Sequence, residues 1–284
     1  MVSCREAWQQ AKVRLQAAGV QDAAADANLL LELAAGPNWR WRDEELCEQE
    51  QVLFNSALEK REQRVPIQYI VGRWPFLDLE LEVGPGVLVP RADTEIVCEA
   101  AANLIKPLAQ PAILDLCAGS GALGLGLKRL FPGADVTGVE KSPEAFFYLK
   151  RNCARALPLE NGSPAVKAVL GDVFGFEQGL LPAGLDLIVS NPPYLTGSEM
   201  QQLQPEVAHE PAMALAAGED GLDFYRYICT AYKKAVKPGG WLCFEIGWQQ
   251  RCAVSDLLLQ NGWAHVGSCR DLGGNDRAVW GQKI

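Results

Sequence analysis

From about residue 95 onward, short runs of β-forming residues alternate with helical stretches, and this alternation leaves few architectures open. The candidate strands are 112–116 (AILDL), 134–140 (ADVTGVE), 165–172 (AVKAVLGD), 185–190 (LDLIVS) and 241–246 (WLCFEI), followed by two late ones near 263–269 and 277–280. Helical patterns fit between them, for example over 121–131 and 143–155. A helix between two strands makes a crossover, so the strands lie mainly parallel in a doubly wound α/β sheet of seven strands. Ligands of such sheets bind at the carboxyl ends of the strands. No internal repeat or low-complexity segment interrupts the pattern.

The chain before this point reads differently. Residues 1–64 are helical in pattern, with apolar positions at Ala23, Ala27, Leu30 and Ala34, then Leu46, Leu53, Phe54 and Ala57, and few β-branched residues. Gly36-Pro37-Asn38 separates two helical groups. Trp8, Trp39 and Trp41 are mostly expected as core anchors of this small bundle. LDLELEV at 77–83 alternates strictly and is followed by GPG and VLVP, a β-hairpin pattern. The expected division is a helical domain at 1–73, a β-hairpin linker at 74–92 and the α/β domain at 93–284.

Composition narrows the chemistry. The chain has 284 residues, 49% hydrophobic and 21% charged, with no apolar run near the ~18 residues of a membrane span. Arg5 and Glu6 stand where a signal peptide would need its apolar segment, so a soluble, cytoplasmic protein is expected, working as a monomer away from membranes. Nine scattered cysteines without a CxxC pair read as reduced, mostly buried thiols. His209 and His265 have no partner at ligand spacing, so neither a metal site nor a Cys–His couple is expected. A formal net charge of −9 disfavours direct nucleic-acid binding.

The first strand of the alternating region opens into ILDLCAGSGALGLGL. Asp115 stands near the strand end, Cys117 and Ala118 follow, and Gly119, Ser120 and Gly121 turn into a helix whose backbone N–H groups a ligand can approach. Glu140 ends the second strand 21 residues after Gly119, a separation that suits a carboxylate bonding a ribose diol. Asp172, with Val173 beside it, closes the third strand where it can reach an adenine amino group. A GxGxxG string does occur at 119–124, but it begins late, and Asp115 before it would repel a pyrophosphate while suiting an ammonium group. The pattern favours S-adenosyl-L-methionine over a dinucleotide.

The fourth strand runs into IVSNPPYLTG. Asn191 is held extended by the proline after it, and Pro192 and Pro193 have no N–H, so this corner offers hydrogen-bond acceptors and few donors. Asp115 with its loop, Glu140, Asp172 and Asn191-Pro192-Pro193-Tyr194 together resemble the class I (Rossmann-like) S-adenosylmethionine-dependent methyltransferases that act on amino nitrogens. The tetrapeptide is shared by adenine-N6 and glutamine methylases. PIQYIVG (66–72), Phe76, VLVPRADTE (87–95), EPAMAL (210–215), DGLDFYR (220–226), KPGGWLCFEIG (237–247) and DLGGNDR (271–277) resemble the HemK/PrmC protein-(glutamine-N5) methyltransferases.

That resemblance implies methyl transfer to the glutamine of the GGQ motif in class I peptide-chain release factors, leaving S-adenosyl-L-homocysteine. The alternatives are glutamine methylation of a ribosomal protein and adenine-N6 methylation of nucleic acid. The family's glycine loop often starts with glycine where this chain has Cys117 and Ala118, both small enough to keep the loop feasible. The resemblance implies cofactor contacts at Asp115, Cys117, Ala118, Gly119, Ser120, Gly121, Glu140, Asp172, Val173 and Asn191. In this reading Asn191, Pro192, Pro193 and Tyr194 bind the substrate: Asn191 and Pro192 orient its amide, and Tyr194 covers the amide and excludes water. Arg91, Asp93 and Glu95 are expected as a salt-linked loop near the mouth of the site, Glu210 as part of a lid, His209 as a surface residue, and Asn275 and Arg277 as props of the last hairpin.

Overall fold

Ser3 starts the first helix by accepting from the Glu6 N–H while the Glu6 carboxylate accepts from the Ser3 N–H at 3.1 Å, a reciprocal capping box. In this computed structural model, which describes residues 2–42, 44–157 and 165–284, the chain divides into two units. The first runs to Arg73 and takes in Leu203–His209 as well. It holds helices α1 (Cys4–Ala17), α2 (Ala23–Ala35), α3 (Glu48–Glu62) and α4 (Ile67–Val71). Ala11, Leu15, Ala27, Leu30, Phe54 and Ala57 form its apolar interior, as their helical spacing requires. Of the tryptophans, Trp39 is buried and Trp8 half-buried, while Trp41 is 86% exposed; one apolar position of the helical pattern, Leu53, faces solvent instead. The sequence pattern also misses buried Asp26, whose carboxylate accepts from Arg61 at 2.7 Å.

The second unit begins at Trp74. Its hairpin pairs β1 (Arg73–Phe76) with β2 (Leu79–Glu82) across a turn at Leu77, where φ is +52°. The expected hairpin turned one strand later, at GPG. Those residues instead lead an irregular segment into α5 (Ala92–Ile105), because Phe76 and Leu79 already supply buried positions for the earlier pair.

The remaining elements follow the alternation: β3 (Ala112–Leu116), α6 (Ala122–Leu130), β4 (Asp135–Glu140), α7 (Pro143–Arg155), β5 (Lys167–Leu170), the short α8 (Val173–Phe176), β6 (Leu185–Ser190), α9 (Asp223–Ala231), β7 (Val236–Glu245), α10 (Arg251–Gln260), β8 (Trp263–Arg270) and β9 (Asp276–Lys283). The seven-stranded sheet has the order β5-β4-β3-β6-β7-β9-β8; β3 to β7 run parallel, and β9 is antiparallel to both neighbours. Successive side chains of a strand alternate between faces. Ile113, Leu187, Val189 and Cys243 therefore join α5, α6 and α7 in one core, while Leu114, Ile188, Leu242 and Phe244 join α9 and α10 in the other. The chain moves outward one way through β4 and β5 and the other way through β6 and β7. The order thus reverses between β3 and β6, where a crevice forms at the strand ends.

Candidate active site

Register decides what shares that crevice. Leu116 pairs with Val139 on one side and Ser190 on the other, so the glycine loop, Glu140 and Asn191 leave the sheet side by side. The Ser190 hydroxyl donates to the Leu116 carbonyl at 2.7 Å and ties the two strand ends together. A cavity of about 270 Å³ opens there, lined among others by Asp115, Cys117, Ala118, Gly119, Ser120, Glu140, Asp172, Val173, Asn191 and Pro193. Three residues expected at the site do not line it: Gly121, Pro192 and Tyr194. Gly121, at φ +88°, makes the N-cap of α6, and a Cβ there would lie 2.8 Å from Leu149. Pro192 is buried, and Tyr194 packs among the core residues behind the corner.

The carboxylates are held in place. Asp115 is 1% exposed and accepts from the Gly124 N–H at 2.8 Å. A Cβ on Gly124 would stand 3.0 Å from that carboxylate oxygen, so the last glycine of the GxGxxG string serves this close approach. Burial pushes Asp115 up to about 7, opposed by the Gly124 hydrogen bond. A positively charged ligand group would offset that burial cost. Glu140 accepts from the Gly119 N–H at 2.8 Å and from the Ser142 N–H at 2.7 Å, which fixes its direction at the end of β4. Asp172 accepts from the Phe174 N–H at 3.0 Å and pairs with Lys141 at 2.9 Å. Burial opposes its charged form, but Lys141 prevails and holds the carboxyl below its ordinary range.

Cys117 is the unusual member of the loop, since its φ of +59° belongs to the left-handed region that glycine occupies without strain. Gly119 at φ +56° has only Val87 near a notional Cβ, at 4.0 Å, so the cradle beside it is open. Behind the loop, buried Asn152 donates to the Ser120 carbonyl at 2.9 Å and to the Glu82 carbonyl at 3.0 Å. It also accepts from the Glu82 N–H at 2.7 Å. One amide therefore clamps the loop to β2.

At the corner itself, Asn191 is half-buried, and its side chain enters no hydrogen bond with the described residues. The Tyr194 and Leu195 N–H groups both donate to the Leu215 carbonyl, at 3.1 and 2.8 Å, so the corner is braced by the EPAMAL segment. Burial pushes the Tyr194 phenol up to about 12, and the Glu245 charge adds to this, so it stays protonated at neutral pH. Glu245 was not foreseen in any role. It is 2% exposed, accepts from the Thr94 hydroxyl at 2.7 Å, and is pushed by burial up to about 7.

The lesser expectations divide. Arg91 pairs with Glu210, whose other oxygen accepts from the Val89 N–H at 3.0 Å; Asp93 pairs with Arg277 at 3.2 Å. Arg91 lines the cavity, with Leu88, Val89 and Pro90 beside it and Pro211 and Met213 from the segment after Glu210. Glu95 instead leaves this cluster and accepts from the Leu77 N–H at 2.8 Å. His209 is exposed. Asp271 accepts from the Asn275 N–H at 2.9 Å and from Arg277 at 3.0 Å, which holds the last hairpin. Sequence patterning missed the apolar wall made by Met213, Phe174 and Phe224, because these residues carry no local signal of facing a ligand.

The strand order, the reversal between β3 and β6, and an acidic cavity at that point define a class I methyltransferase. Residues 94–219 match the model of the methyltransferase small domain, and residues 6–72 match that of the PrmC N-terminal domain. A methyltransferase from Pyrococcus furiosus shares the fold, with a TM-score of 0.52 and 19% identity over 83% of this chain and 97% of that one. The release factor glutamine methyltransferase of Geobacter sulfurreducens is 36% identical over 93% of this chain and 91% of its own. That of Caulobacter vibrioides is 36% identical over 98% and 96%. The chain belongs to the release factor glutamine methyltransferase family.

Proposed function

We propose that this protein transfers a methyl group from S-adenosyl-L-methionine to the side-chain amide N5 of the glutamine in the GGQ motif of class I peptide-chain release factors. The observation that carries the proposal is the acceptor-rich corner, Asn191-Pro192, emerging beside a buried carboxylate that favours a cation, in a chain 36% identical to a release factor glutamine methyltransferase over 93% of its length. The residues fit the cofactor. Asp115 suits its ammonium group, Glu140 its ribose, Asp172 and Val173 its adenine, and the loop Cys117–Ala118–Gly119–Ser120–Gly121 offers an open backbone edge. When bound, the cofactor supplies an electrophilic methyl on a sulfonium centre.

The chain's own residues then act through geometry. An amide nitrogen is a poor nucleophile because its lone pair is delocalised into the carbonyl. The Asn191 side-chain oxygen and the Pro192 carbonyl accept its two hydrogens and aim the nitrogen at the methyl, which supplies the proximity contribution. The same acceptors stabilise the positive charge that grows on nitrogen, and the methylated nitrogen then gives up one of its two protons to solvent. Pro193 keeps the corner stiff. Tyr194, neutral across the physiological range, is no base; it backs the corner and helps exclude water. The helical unit grips the release factor while the α/β unit receives the GGQ loop.

The test is label transfer from methyl-labelled S-adenosylmethionine to a class I release factor, a ribosomal protein and DNA in parallel. Label on the release factor, lost when the GGQ glutamine is changed to alanine, is the expected result; label on either other acceptor alone overturns the proposal. Asn191→Ala should lower kcat by roughly 10²-fold while cofactor affinity stays within a few-fold, because the lost acceptor acts on charge that develops in the transition state. Unchanged turnover would refute the role given to Asn191.

A further inference from the structure

Gln250 lies in the loop between β7 and α10, and no sequence motif singled it out. Its Nε2 donates to the Tyr194 carbonyl at 3.0 Å and to the Gly221 carbonyl at 3.2 Å. Its Oε1 accepts from the Gly247 N–H at 3.0 Å, with the Tyr225 hydroxyl 3.4 Å away but donating its one proton to the Glu245 carbonyl at 2.9 Å. Both donors of the amide and one acceptor direction are thus used. The backbone is packed tightly against it. A Cβ on Gly221, where φ is +73°, would lie 2.3 Å from the Tyr194 carbonyl oxygen and 2.8 Å from Nε2, and one on Gly247 would lie 3.0 Å from Oε1. Three segments distant in the chain, ending in Tyr194, Gly221 and Gly247, converge on this side chain.

We infer that Gln250 is the positioning residue of the Asn191–Tyr194 corner, and that its carboxamide, with two donors facing two carbonyls, sets the direction in which Asn191 and Pro192 present their acceptors. The prolines fix φ, and Pro193 holds the ψ of Pro192 extended, but the ψ of Pro193 is set by no following proline, so the direction of the stiff corner relative to Tyr194 still has to be fixed. Tyr194 is the first residue beyond them, and it is held on both sides: its N–H by Leu215 and its carbonyl by Gln250. Removing the Gln250 restraint leaves the corner held only through Leu195 and the Leu215 carbonyl, and so loosens it without touching Asp115, Glu140 or Asp172. This inference rests on the proposed role of Asn191 and Pro192.

The chemistry supplies a discriminating variant. In Gln250→Glu a carboxylate would face two carbonyl oxygens and repel them, whereas the protonated acid regains one donor. The groups that act on Tyr194 and Tyr225 are Glu245, Arg277, Arg91, Asp93 and Cys117, together with the two phenols themselves, and all are the same in wild type and variant. Steady-state methylation of the release factor is measured from pH 5.5 to 8.5 for wild type, Gln250→Glu and Gln250→Met, with cofactor affinity by calorimetry. The expected result is a kcat at least tenfold below wild type at pH 8 for Gln250→Glu, narrowing towards pH 5.5. Gln250→Met should stay depressed throughout, and both variants should bind cofactor within about twofold of wild type. A Gln250→Glu profile parallel to wild type, or a loss of cofactor affinity equal to the loss of kcat, overturns the inference. Should wild type leave the release factor unlabelled, the proposed activity fails on its own, and amide exchange at Tyr194 and Leu195 decides the tether. Faster exchange in Gln250→Met supports it, and equal exchange refutes it.

Discussion

Asp115 and Glu245 each carry a carboxyl that burial pushes up to about 7. A carboxyl raised in the folded state contributes most stability below its unfolded value near 4 and loses it as pH rises through about 7. The ligand-free protein should therefore melt at a lower temperature at pH 8 than at pH 5, and Asp115→Asn should flatten that slope, as scanning calorimetry would register. Affinity for a cationic ligand should run the other way and rise with pH through about 7, because Asp115 ionises there. At Cys117, a side chain occupies a left-handed φ that costs ~1–2 kcal/mol, of which glycine's greater unfolded freedom returns ~0.5–1 kcal/mol. Cys117→Gly should raise stability by up to about 1.5 kcal/mol and, since the loop meets the cofactor through its backbone edge, keep cofactor affinity within a few-fold, measured by denaturant titration and calorimetry. Cys117 could be flagged from its place in a glycine loop, but its φ could not, since φ there depends on how the loop packs onto β4.

The strands were legible as elements because burial on both faces makes them near-continuous apolar runs between turn residues. β7 is longer than its pattern, starting at Val236 instead of 241, because Gly239 at φ +81° and Gly240 carry the chain through an irregular step in its pairing with β6. A Cβ on Gly240 would stand 3.0 Å from the Asp186 carbonyl, a neighbour no local pattern reveals. The hairpin was misplaced for a related reason, since strict alternation at 77–83 did not say which partner it meets. α7 shows how an element serves the site from behind. Its Asn152 holds both the glycine loop and β2, so Asn152→Leu keeps the volume but strands three backbone groups, one of them buried and two part-buried. We expect a loss of about 3 kcal/mol in stability and a several-fold weaker cofactor affinity, measured by thermal unfolding and calorimetry.

At the scale of the whole molecule, each unit has its own core and its own buried charge. In the first unit Arg61 pairs with buried Asp26 and, with Arg64, donates to Glu206 at 2.7–2.9 Å. Burial works against Glu206, but the hydrogen bonds from Arg64 and Arg61 hold it down to about 2. Arg61→Met would leave Asp26 buried and unpaired, and should cost about 3–5 kcal/mol in chemical denaturation. Periodicity, turn residues and charge by themselves determined the α/β sheet, the helical start of the chain, the glycine loop with Asp115 and Glu140, and the acceptor corner at Asn191. All of these rest on residues near one another in sequence. Tertiary structure alone decided the partners: Glu210 with Val89 across 121 residues, Thr94 with Glu245 across 151, and Gln250 with Tyr194 across 56. Those groups carry no local period. Their contacts arise only when the sheet order brings distant strand ends to one edge, and there the buried polar groups must find one another because water cannot reach them.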